Sequence, residues 1–194
     1  MPRWEPNAAG RLQEAALTLF EQQGYAGTTA AEIAARAGLS ERTFFNHFAT
    51  KHEVIFGATA ELLLRTITRS IVAAPAEASP LDAVMHGLQT AAGNVLDGYQ
   101  ALSARRRQII DATPELRERD EGKRAGLIDA IATALRERGV DADAAFLTAG
   151  AGAVILQAAD SRWTRPENDT PLSDLLADTL TSLRGIVEAA TALH

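Results

Sequence analysis

A chain of 194 residues, 46% of them hydrophobic, is long enough for one large domain, or for a small one joined to a medium one. Its lack of cysteine excludes a disulfide framework, a thiolate metal site and a cysteine nucleophile; no apolar run nears the roughly 18 residues of a membrane span, and Met1-Pro2-Arg3-Trp4-Glu5 lacks the order of a secretory signal, so the expected compartment is the cytoplasm. The net charge of −6 excludes capture of nucleic acid by bulk attraction: residues 1–51 balance five basic groups against five acidic ones, and any DNA must be held by a few placed contacts.

The predicted elements are all helical, because Ala, Leu, Glu and Arg dominate and β-branched alternation is nearly absent. The first spans 7–23, with Leu12, Ala15, Ala16, Leu19 and Phe20 on one face. Gly24 stands where this helix ends. Helices over 29–37 and 51–73 open on Thr29…Glu32 and Thr50…Glu53, each with the spacing of a capping box. Between them lies a helix over 40–47. Further helices are predicted over 80–102, 104–112, 114–138, 141–163 and 171–192, about nine in all. Ser79-Pro80, Thr113-Pro114 and Thr170-Pro171 supply capping hydroxyls before a first-turn proline, and Gly38 and Gly139 stand at helix ends. Residues 73–79 and 164–170 read as loops.

The segment 29–48 carries the most information. Gly38-Leu39-Ser40 separates two short helices: Gly38 suits a left-handed turn, Leu39 plugs the angle and Ser40 caps the second helix. Ile33 and Ala37 face Phe44 and Phe48, while Ala34 and Ala35 allow close approach. This is the spacing of a helix-turn-helix whose second helix enters the DNA major groove. Its outer side then presents Glu41, Arg42, Thr43, Phe45, Asn46 and His47. Arg42 suits guanine and Asn46 adenine. Thr43 and Phe45 suit a thymine methyl, with a phosphate as the alternative for Thr43. His47 and Lys51 suit phosphates. The amides and hydroxyls at Thr28 and Thr29 suit another phosphate. A helical hairpin buried in an ordinary core would show the same caps, but not an exposed Phe45 beside Asn, His and Arg.

At these residues the chain resembles the TetR family of bacterial regulators. The resemblance rests on Arg11, Leu17, Leu19-Phe20, Gly24-Tyr25, Thr28-Thr29, Glu32-Ile33-Ala34, Ala37-Gly38-Leu39-Ser40, Thr43-Phe44-Phe45, His47-Phe48 and Lys51, and it covers about the first 56 residues. It implies a homodimer, a three-helix DNA-binding head and a divergent helical effector domain. It also implies a DNA grip by Thr28, Thr29, Arg42, Thr43, Phe45, Asn46, His47 and Lys51, with Ser40 at the cap. The family often has tyrosine where this chain has Phe45, and phenylalanine cannot donate to a phosphate. Only Arg3 is available for a minor-groove arm.

The rest is less informative. Thr113-Pro114-Glu115-Leu116-Arg117-Glu118-Arg119, then Leu135, Gly139-Val140-Asp141 and Trp163, resembles an actinobacterial branch of that family, which implies acyl-CoA-like or other lipophilic ligands. Met85, Leu88, Ala92, Leu96 and Tyr99, with Val84 and Val95, form one side of the 80–102 helix and suit either a pocket or plain core. Gln89, Asn94 and Gln157 are candidate polar contacts. Arg105-Arg106-Arg107 reads as a solvated basic surface before an anion site. The final two helices, with Ala149 to Ala153 and a stripe from Leu172 through Leu176, Leu180, Leu183 and Val187 toward Leu193, are expected to form a four-helix dimer interface, the alternative being that these faces close the chain's own core.

The expectation is therefore an all-α regulator with a DNA-binding domain over 1–50 and an effector and dimerisation domain over 51–194. Its partners are double-stranded operator DNA, a small effector and a second copy of the chain, with no membrane, cofactor, metal or catalytic group. The helix from Lys51 links effector to head. No triad, paired carboxylates or phosphate loop supports an enzyme. A purely architectural DNA-binding protein would lack an effector cavity.

Overall fold

The computed structural model describes residues 7–57, 59–96 and 98–191, and the regular elements among them are α-helices, as the composition requires. In order they are α1 (Ala8–Gln23), α2 (Ala30–Arg36), α3 (Glu41–His47), α4 (Glu53–Phe56), α5 (Thr59–Ala73), α6 (Pro80–Val95), α7 (Gln100–Ala112), α8 (Pro114–Glu137), α9 (Ala142–Trp163) and α10 (Leu172–Thr191). Arg3 and Leu193 lie outside the described residues.

Two expected helices are interrupted. The 51–73 helix is split by Gly57, whose φ of 78° ends α4 after one turn. Its start also differs. The Glu53 carboxylate accepts from the Ala49 N–H at 2.9 Å, and the Thr50 hydroxyl turns to His52 Nε2 at 3.0 Å, so the Thr50 capping box does not form. A single rod from Lys51 into the C-terminal region therefore does not exist. The 80–102 helix stops at Val95; Gly98 has φ 77° and the Tyr99 N–H turns back to the Leu96 carbonyl at 2.9 Å. Other signals form as read. Thr29 and Glu32 make a full capping box, Ser79 accepts from the Asp82 N–H ahead of Pro80, and Gly24, Gly38 and Gly139 take positive φ.

The chain divides into two compact units. One joins Met1–Glu61 to Arg105–Asp120; the other joins Leu62–Ala104 to Glu121–His194. In the first, α1 packs on α2, α3 and α4. Leu12, Ala16, Leu17, Ile33, Phe44, Val54, Ile55, Ile110 and Leu116 are buried there.

In the second unit α6, α9 and α10 pack on one another. Leu172, Leu175 and Leu176 are buried in this core, so the first half of the α10 stripe closes the chain's own interior. Ala149, Gly152 and Ala153 are buried too. α9 is long and apolar enough, by length and composition, to cross a membrane. One side of α9, with Ala145, Ala149, Ile155, Ala159 and Trp163, is buried in this core, while Phe146, Leu147 and Val154 are exposed. A Cβ on Gly152 would lie 2.5 Å from Val84 Cγ1, and Val84 is fully buried and β-branched, with no room to turn away. Gly152→Ala is therefore expected to lower stability by about 1–3 kcal/mol, read from the urea midpoint. A midpoint equal to that of the parent would contradict this close approach.

Candidate nucleic-acid interface

The candidate reading surface is built on α1. The Arg11 guanidinium on α1 donates to the Ala37 carbonyl, one of the acceptors left open at the end of α2. Gly38, with φ 67°, then reverses the chain, and the Leu39 N–H closes on the Ala34 carbonyl at 2.8 Å. Ser40 caps α3: its Oγ accepts from the Thr43 N–H at 3.1 Å and lies 2.8 Å from the Thr43 hydroxyl.

Phe44 is fully buried and Phe48 nearly so, their rings 5.7 Å apart, with Ile33, Ala34 and Ala37 buried on the α2 side. Ala35, expected in this contact, is exposed. With the underside pinned, the opposite side of α3 must face outward. Glu41, Arg42, Asn46 and His47 are exposed, Thr43 is half-buried, and Phe45 is 50% exposed with its ring edge-on to Phe44. Among the described residues Arg42 and Asn46 make no hydrogen bond or ion pair, so their donors are available to base edges.

The expected phosphate contacts differ from one another. Thr29 is exposed, although its hydroxyl and N–H both donate to the Glu32 carboxylate at 2.8 Å. Thr28 is 1% exposed and its hydroxyl donates to the Gly24 carbonyl at 2.8 Å. A hydroxyl so placed cannot meet a phosphate, because the turn itself covers it. Lys51 is half-buried. Its Nζ donates to the Tyr25 carbonyl at 2.8 Å and the Thr28 carbonyl at 3.0 Å, and lies 4.0 Å from the centre of the Tyr25 ring. The ammonium thus fastens the α1–α2 turn. Lys51→Met is expected to lower both melting temperature and DNA affinity. The slope of log K against log salt should barely change, whereas loss of a true phosphate contact reduces it by about 0.9.

Arg105, expected on a solvated basic surface, grips α1 instead. Its Nε and Nη2 donate to the two Glu21 oxygens at 2.7 and 2.9 Å, Nη1 donates to Glu14 at 2.7 Å, and Nη2 reaches the Thr18 hydroxyl at 3.3 Å. The hydrogen bonds from Arg105 hold the Glu21 carboxyl below its usual range. Arg107 pairs with Asp120 at 3.0 Å. The available signal was Glu14, Thr18 and Glu21 at helical spacing, a row of acceptors on one face of α1.

The expected ligand residues are dispersed. Met85, Leu88 and Ala92 are buried in the α6 core, and Gln89 and Leu96 are half-buried. Tyr99 lies beyond the end of α6 and is 42% exposed, so it does not extend the α6 face. Gln157 and Asn94 are exposed, and Gln157 accepts from Arg124 at 2.8 Å. Two open cavities are lined by other residues. One, about 630 Å3, runs between Val72 and Ala73 of α5 and Ala130 and Ala134 of α8. The other, about 720 Å3, lies among Phe20, Tyr25, Ile109 and Pro114.

A capped recognition helix with an aromatic underside and free Arg and Asn on its outer face defines a helix-turn-helix DNA-binding protein. Residues 12–58 match the family of bacterial regulatory proteins called the tetR family. The chain is 30% identical over 138 residues to the HTH-type transcriptional repressor Rv3405c of Mycobacterium tuberculosis, covering 68% of this chain and 72% of that protein. It is 35% identical over 152 residues to the HTH-type transcriptional regulator TcmR of Streptomyces glaucescens, covering 70% of this chain and 62% of TcmR. The SmeT–triclosan complex shares the fold, with a TM-score of 0.53 at 20% identity over 90% of each chain. The chain belongs to the TetR family and is a DNA-binding transcriptional regulator, not an enzyme.

Proposed function

We propose that the protein is a homodimeric repressor that binds a palindromic operator and is released by a small lipophilic molecule. Residues 1–50 act as the DNA-binding domain and 51–194 as the effector and dimerisation domain. The observation that carries this reading is the uncovered row of Arg42, Phe45, Asn46 and His47 on a helix anchored by Phe44. Arg42 and Asn46 read bases, Thr43 and Phe45 meet a thymine methyl, and Thr29, Ser40 and His47 meet phosphates. Lys51 adds charge nearby while it holds the turn.

Dimerisation is supported by exposed apolar side chains on the last two helices: Phe146, Leu147 and Val154 on α9, and Ile186 and Val187 on α10, each more than half exposed. Such faces pair across a two-fold axis, which matches a palindromic site. The effector domain is supported by an open cavity of about 630 Å3 between α5 and α8, bordered by Val72, Ala73, Ala130 and Ala134. An acyl-CoA-like molecule is the first candidate, from the actinobacterial resemblance of residues 113–163. Because the two ligands are coupled, DNA must weaken effector binding by the factor by which effector weakens DNA binding. Since its target is DNA, the protein works in the cytoplasm.

The test is gel retardation with the DNA flanking its own coding sequence, alongside mass measurement of the free and bound protein. Specific retardation by two chains per operator, reversed by long-chain acyl-CoA, supports the full reading. No specific retardation at low salt ends it.

A further inference from the structure

The last turn of α5 has no cap in its own sequence. It runs out through Val72-Ala73-Ala74-Pro75, with no glycine to turn left-handed and no polar side chain to reach the open carbonyls. Arg138, half-buried in the turn after α8, supplies the donors. Its Nη1 donates to the Ile71, Val72 and Ala74 carbonyls at 3.1, 3.3 and 2.6 Å, and its Nη2 to the Pro75 carbonyl at 2.7 Å. The turn that carries it is closed by the Gly139 N–H on the Arg136 carbonyl at 2.9 Å and the Val140 N–H on the Leu135 carbonyl at 3.1 Å. α5 is also seated against α6, where a Cβ on Gly87 would lie 2.8 Å from the Ile67 carbonyl oxygen. The open cavity of about 630 Å3 runs between α5 and α8. Val72 and Ala73 on one wall belong to the pinned turn, and Glu137 on the other directly precedes Arg138.

We infer that Arg138 is a positioning residue for effector binding: by fastening the last turn of α5 to the turn after α8, it fixes the width of this cavity. This rests on the effector reading above. A guanidinium over the end of a helix makes charge-assisted hydrogen bonds with the favoured sign of the helix dipole. One planar fork meets four carbonyls here; a lysine ammonium has three donors and no plane to hold them in register. Without the fork the last turn of α5 frays, as uncapped helix ends do. The width that suits a ligand is then populated for only part of the time, and the apparent affinity falls by that fraction.

The experiment uses the full chain. Because the sequence has no cysteine, nitroxide labels at Ala73→Cys and Asp129→Cys are specific, one on each wall, and read the distance across the cavity. The parent is expected to give one narrow distribution, Arg138→Met a broad one, and Arg138→Lys an intermediate one. Arg136→Met is the control, since Arg136 donates to the Thr133 hydroxyl within α8 and should leave the distances unchanged. Binding is measured on unlabelled protein with palmitoyl-CoA and with a neutral lipophilic dye, N-phenyl-naphthylamine. Arg138→Met is expected to weaken whichever probe the wild type binds by roughly fivefold, the effect of a competent width populated about one-fifth of the time. Arg138→Lys should recover part of that loss, and it keeps the test open if the methionine variant does not fold. A merely stabilising role would lower the melting temperature and leave distances and probe affinity as in the parent, which overturns the inference. So does a broadened cavity with unchanged affinity. In both cases the effector reading survives. If the wild-type protein binds neither probe, that reading falls and the role of Arg138 falls with it.

Discussion

Phe44→Ala is expected to abolish specific DNA binding by melting the head. α3 has seven residues, too few to stay helical in water unaided. What holds it is burial of Phe44, fully enclosed and in ring contact with Phe48, beneath a cap from Ser40 worth much less. Removing a buried phenylalanine costs about 3–5 kcal/mol. A domain stable by roughly 5–15 kcal/mol cannot absorb this easily, and the short helix is the first part to go. Circular dichroism on heating should show an early transition, and gel retardation should show no specific complex. Phe45→Ala is the matched control: its ring is half exposed, so the variant should keep stability within about 0.5 kcal/mol while DNA affinity falls. A folded, operator-binding Phe44→Ala protein would show that α3 is held by something other than its aromatic underside.

The second large effect concerns base reading. Arg42→Ala and Asn46→Ala are each expected to remove about 1–3 kcal/mol of discrimination at one base position, or roughly 5- to 150-fold. The loss should fall on the preferred sequence and leave non-specific binding nearly intact, because neither side chain supports the fold: both are exposed and unpaired among the described residues. Arg42→Lys should recover little, since an ammonium cannot form the planar two-point contact with guanine. Binding-site selection with each variant gives the readout directly. A uniform weakening on every sequence would place these residues on phosphates instead. Lys51 shows why the distinction matters: its charge lies close by, yet its ammonium is spent on two carbonyls and a ring of the α1–α2 turn.

Much of the head was readable in the chain. Gly38, Ser40 and the Phe44–Phe48 pair are local signals, each satisfied within about four or five residues, so caps and periodicity translate directly into geometry. The same logic misjudged Thr28, because residue type reports a hydroxyl but not the direction it takes. It misjudged the Thr50 box as well, where the Ala49 amide captured the Glu53 carboxylate meant for Thr50. The apolar side of α6 was read as pocket or core, and Met85, Leu88 and Ala92 are buried within it, because period alone cannot tell a lined cavity from a filled one.

The sequence by itself determined the all-helical class, the helix-turn-helix, its outward polar row and the family. These depend on short-range rules: propensity, capping, a left-handed glycine and a Phe pair at helical spacing. Only the tertiary structure decided that Gly57 breaks the helix leading out of the head, that half of the α10 stripe serves its own core, and that Arg105 belongs to α1. The last two join residues far apart in the chain or choose among several partners of equal chemistry. That choice is made by which surfaces meet in three dimensions, a quantity no local pattern encodes.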